Sequence, residues 1–114
     1  MATIDDLEDL QDGISTSIQT LLRAYDQCAD PVESAALLLQ TKQLAAQMSQ
    51  IETSLFHQQA VQASPMVDRA FASAEGYTSQ LKDMAGNLDR VSDIIATGAK
   101  LVDGVTQIVG WLGL

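Results

Sequence analysis

From Tyr77 to Leu112 a small or apolar residue returns at alternating steps of four and three: Tyr77, Leu81, Met84, Leu88, Val91, Ile95, Gly98, Val102, Val105, Val109, Leu112. Such an alternation averages about 3.5 residues and keeps one stripe of an α-helix turned toward a partner along its whole length. The same pattern runs through Ile4, Leu7, Gln11, Ile14, Ile18, Leu21, Tyr25 and Cys28. It runs less cleanly through Leu37, Thr41, Leu44, Met48, Ile51, Leu55 and Gln58, where Leu38 and Ala45 widen the face.

Capping chemistry places the helix starts. Thr3 with Asp6 fits a capping box, and the carboxylates that follow suit the positive end of the helix dipole. In Asp30-Pro31-Val32-Glu33 the aspartate can cap and the proline suits the first helical position. Ser64-Pro65, with Asp68 in the following turn, is a third start. The pattern therefore predicts helices over about 3–28, 31–63 and 65–112 in a single all-helical domain spanning 1–114. Short connections near residues 29 and 64 make antiparallel neighbours. The expected fold class is all-α: a helical hairpin plus a long third helix, packed as a three-helix bundle of coiled-coil type. At 1.5 Å per residue that third helix would span roughly 70 Å, against roughly 40–50 Å for the others. A break at Gly86-Asn87 would give four helices instead. The stripe holds its phase through Met84, Leu88 and Val91, which favours a continuous helix.

The C-terminal segment, 94–114, carries the sharpest apolar signal. A second row, Ile94, Leu101 and Ile108, joins the stripe at intervals of seven, and no formally charged residue follows Asp103. A face this broad can contact two neighbours at once. Ile94, Ile95, Leu101, Val102, Val105, Ile108, Val109, Trp111 and Leu112 are accordingly the expected partner or oligomer interface, left over where the long helix outruns the other two.

Composition sharpens this picture. Of the 114 residues 46% are hydrophobic but only 4% aromatic, so the core is mainly aliphatic and Ala, as in helix packing. Net charge is −9, and the six basic residues (Arg23, Lys42, Arg69, Lys82, Arg90, Lys100) are dispersed. Nucleic acid, which needs clustered Lys and Arg, is not an expected partner. Docking on an anionic membrane is disfavoured for the same reason. Neither the apolar leader of a signal peptide nor a spanning helix of about 18 unbroken apolar residues is expected. The expected location is the cytoplasm, with non-classical export as the alternative.

The chemistry-bearing residues are sparse. His57 is the only histidine and Cys28 the only cysteine, so neither a His-rich metal cluster nor an intrachain disulfide is available. Cys28 reads as a small apolar residue on the first stripe, and His57 reads as structural. Asp5, Asp6, Glu8, Asp9 and Asp12 form a solvated face and lack the alternate-ligand spacing of a calcium loop. No spacing assembles a catalytic constellation, so no enzyme, metal or cofactor is expected. A small-molecule cavity between helices is a further alternative, since it leaves no clear sequence mark. The second helix is crowded with Gln40, Gln43, Gln47, Gln50, Gln58, Gln59 and Gln62 and charged only at Lys42 and Glu52 after its first turn. An uncharged polar helix can lie inside an assembly without burying ions.

Together these features indicate a non-enzymatic helical protein that self-assembles or binds a protein partner. The alternative is a membrane-associated protein that inserts its C-terminal segment as an amphipathic helix with Trp111 as anchor. Over roughly residues 7–62, helix, Asp30-Pro31 turn and second amphipathic helix, the chain resembles the hairpin subunits of type III secretion needles and rods. That resemblance implies a filament subunit. The charged, polymer-facing end usual in such subunits is replaced here by the apolar extension, and no residue role is carried over.

Overall fold

A computed structural model describes residues 4–56 and 65–111, and every element among them is a helix: α1 (Ile4–Gln27), α2 (Pro31–Phe56), α3 (Pro65–Met84) and α4 (Val91–Trp111). Thr3, His57, Gln58, Gln59, Gln62, Ser64 and Leu112 lie outside the described residues.

The turn between α1 and α2 forms as its sequence dictates. Asp30 Oδ1 accepts hydrogen bonds from the backbone N–H groups of Val32 (2.8 Å) and Glu33 (3.0 Å), with Pro31 in the first helical position. Cys28 is half-buried, and its carbonyl accepts from the Ser34 hydroxyl at 3.3 Å. Replacing Asp30 with Ala should remove the cap and lower stability by about 1 kcal/mol, read as a shifted urea midpoint with unchanged slope.

The single long third helix is not formed. The hydrogen-bond ladder tightens at the end of α3, where the N–H of Asn87 donates to the Met84 carbonyl at 2.9 Å, and α4 begins at Val91. Asn87 sits in the turn rather than capping α4. Instead Arg90 precedes the helix and pairs with Asp93 at 2.7 Å across an exposed first turn. The break lets α4 fold back on α3 and reach α2 and α1 as well, so that the buried rows of both helices share one core. The deepest row of α3 is Val67, Phe71, Ala74 and Leu81, and that of α4 is Ile94, Leu101, Val105 and Ile108. Seven-residue steps from Leu81 lead to half-buried Ile95 beside fully buried Ile94, and further along the same stripe Gly98, Val102, Val105 and Val109 are buried again. The other positions of that stripe, Tyr77, Met84, Leu88, Val91 and Ile95, are half-buried and pack on the core from its edge. The molecule is 42 Å in its longest dimension, well short of an uninterrupted helix of the expected length.

Four helices can share one core only if each turns a wide face inward. Here α1 contacts α2 and α3, α4 contacts α3 and α2, α1 also reaches α4 across the centre, and α2 does not touch α3. Within each hairpin the helices run antiparallel, whereas α2 and α4 run parallel: Gln40 bonds to Ile95 and Gln47 to Val102, a constant offset of 55 residues. The order around the bundle is therefore α1, α2, α4, α3.

The inward face of α1 keeps Leu7, Ile14 and Leu21 of the expected stripe, all fully buried, and departs from it at the positions between them. Leu10, Ser17 and Ala24 are buried, while Gln11, Ile18 and Tyr25 are pushed to the flank beside α2. The α1–α3 contact is made by small residues: Ser17 and Thr20 satisfy their hydroxyls on the carbonyls of Gly13 and Thr16, and a Cβ on Gly13 would meet Thr78 at 3.1 Å.

Candidate association face

The expected interface residues of α4 are mostly not at the surface. Ile94, Leu101, Val105 and Ile108 are fully buried, and Val102 and Val109 keep only 9% and 7% of their exposure. Ile95 and Trp111 are half-buried and pack on the core. Once the chain reverses at 85–90, α4 no longer outruns its neighbours. Its double row is as wide as it is because α2, α3 and the diagonal α1 all cover it. The expectation that the apolar rows of Ile94–Leu112 lack a partner within the chain is corrected for Ile94, Leu101, Val102, Val105, Ile108 and Val109, and in part for Ile95 and Trp111, while Leu112 lies outside the described residues.

The charge-free surface lies beside this row, where α2 meets α4. Gln40, 7% exposed, donates through Nε2 to the Ile95 carbonyl at 2.8 Å. One heptad on, Gln47 donates through Nε2 to the Val102 carbonyl (3.3 Å) and the Thr106 hydroxyl (2.7 Å). The two bonds repeat with the helix, so they lock register along the seam. Each leaves its Oε1 buried without a hydrogen-bond partner among the described residues. The Gln40 carboxamide fills the space that a Cβ on Gly98 would need. Glycine at 98 is thus what lets the amide lie flat across α4.

Above the seam α2 turns a second stripe outward, on the opposite side from Leu37, Leu44 and Ile51. It also steps by four and three: Val32, Ala36, Leu39, Gln43, Ala46, Gln50. Val32 is 78% exposed and Leu39 57%, among the largest apolar exposures on the molecule. Helical geometry carries the surface across the seam onto Ile95, Ala99, Thr106 and Gly110 of α4. None of these ten positions is charged. The charges of α4 point elsewhere: Lys100 and Asp103 line an open groove of about 530 Å³ with Arg69 and Tyr77 of α3. Asp5, Glu8, Asp9 and Asp12 are exposed along α1. Among the described residues no three His, Cys, Asp or Glu side chains come together as a metal site, and no helix is long and apolar enough to cross a membrane.

The outward stripe was present in the sequence as the low charge and high Gln and Ala content of the second helix. What could not be read there was that this outer stripe would stand beside the seam with α4, because that depends on where α4 packs.

Fold and surface together define an all-helical, four-helix protein with one charge-free face spanning two parallel helices. No protein family matches the chain, nor does any curated protein or solved structure.

Proposed function

We propose that the chain is a non-enzymatic helical association protein, working as a self-assembled species or on a protein partner. The observation that carries this reading is the outward face of α2: Val32 and Leu39 stand exposed in an uncharged stripe on a chain of net charge −9. A surface helix that needs only solvent on its outer side normally carries its charges there. Past its first turn α2 carries charge only at Lys42 and Glu52, both outside the stripe, as suits a helix with a second covered side. The register-locking pairs of α2 and α4 support parallel packing of coiled-coil type along that seam.

The test is native mass by light scattering, with and without mild detergent. A defined multiple of 12.2 kDa without detergent, or a defined complex with a protein partner, supports the reading. A single chain that gains mass only with detergent overturns it in favour of a lipid surface.

A further inference from the structure

We infer that the face formed by α2 and α4 is the seat of a second copy of this chain, joined to it across a two-fold axis. The inference rests on the association reading and narrows it to one surface and one occupant.

Charge selects the surface. Each copy carries a net −9, and the exposed carboxylates of α1 would meet their like in most other pairings of two copies. Like charges placed opposite one another at an interface cost several kcal/mol and slow encounter. The α2/α4 face is free of that repulsion, because none of Val32, Ala36, Leu39, Gln43, Ala46 and Gln50 on α2, nor Ile95, Ala99, Thr106 and Gly110 beside them, carries charge. A basic partner would gain nothing electrostatic from this face and would be drawn instead to the carboxylates of α1.

Area is consistent with a pair. Two parallel helices of 26 and 21 residues present a rectangle on the order of 30 Å by 20 Å, a flat footprint of roughly 600 Å². The relief of side chains raises the accessible area of such a footprint toward the roughly 800 Å² per partner that a standard stable interface buries. A two-fold pairing uses the same patch on both copies, so an uncharged face is complementary to itself without further adjustment. Shape agrees: Ala36, Ala46, Ala99 and Gly110 keep the surface low around Leu39, so a facing helix can approach closely with Leu39 as the knob.

The experiment is sedimentation of the full chain over a wide concentration range, comparing wild type with Leu39→Glu, Ala99→Glu and, as an off-face control, Leu22→Glu on α1. Circular dichroism checks that each keeps its helix content. The expected result is a wild type and L22E at twice 12.2 kDa, with L39E and A99E each reduced to a single chain. The face is hit from both helices, so the outcome does not depend on one variant folding. An assembled wild type whose mass neither face variant changes overturns the face while leaving the association reading intact. A wild type of single-chain mass at every concentration overturns the second copy. If that single chain also floats with phosphatidylcholine vesicles, and L39E does not, lipid is the occupant instead.

Discussion

Replacing Leu101 with Ala is expected to lower the free energy of unfolding by about 2–5 kcal/mol, a large share of the roughly 5–15 kcal/mol that holds such a domain together. Leu101 is fully buried at the middle of the deepest row of α4, between Ile94 and Ile108, where α2, α3 and α1 converge. Truncation there removes three carbons from a site that four helices hold open, so little collapse can refill it. Urea unfolding followed by circular dichroism measures the loss. Ile95→Ala provides the contrast: Ile95 is half-buried on the flank, so its truncation should cost clearly less. A Leu101→Ala protein as stable as wild type but altered in native mass would return this row to the role of an intermolecular interface.

Gly98→Ala is expected to destabilise by about 1–3 kcal/mol, against the usual direction for this substitution within a helix. Adding Cβ at an exposed helical glycine normally stabilises, and at Gly104 and Gly110, where an added Cβ meets nothing, the gain should be about 0.5–1 kcal/mol. At Gly98 the same atom collides with the Gln40 carboxamide and touches Leu21 at 3.4 Å. The amide cannot swing aside without giving up its bond to the Ile95 carbonyl. A double-mutant cycle with Gln40→Ala isolates the contact: the pair should be less destabilised than the sum of the singles, by about 0.5–3 kcal/mol. Strict additivity would show that Gln40 and Gly98 do not share the seam.

Both results turn on distinctions the sequence makes only in part. Helical class, the Asp30-Pro31 cap and the pairing of the first two helices follow from local rules, since a carboxylate beside free N–H groups and a proline at the first turn act over three residues. The Leu37, Leu44, Ile51 stripe was legible for the same reason: its four-three spacing on one helix names a face without reference to anything else. On α1 and α4 the stripes named much of the buried face: Leu7, Ile14 and Leu21, and then Gly98, Val102, Val105 and Val109, are buried as expected, and the second row, Ile94, Leu101 and Ile108, is fully buried. In α1 the stripe through Gln11, Ile18 and Tyr25 and the row through Leu10, Ser17 and Ala24 are equally periodic. Only contact with α3 selects the second, because Ser and Ala allow the close approach that bulkier side chains prevent. Gln40 and Gln47 carried no sign of burial, since glutamine is common on exposed helices and its partner carbonyls lie 55 residues away.

The break at 85–90 shows the same division. Gly86-Asn87 marks a weak point, but whether the chain reverses there depends on the cover that α3, α2 and α1 give to α4 once it folds back. By itself, then, the sequence determined amphipathic helices, the Asp30-Pro31 cap, an aliphatic core and a charge-poor second helix, all properties set within a few residues of one another, whereas the division of the long third segment into α3 and α4 came from the tertiary structure. The tertiary structure alone decided that the apolar C-terminal rows are covered by the chain's own helices and that the uncharged outer stripe of α2 is left to solvent. The spacing of Leu37, Leu44 and Ile51 marks the inward side of α2 locally, but what covers any face depends on the number and placement of its neighbours, which no local rule supplies.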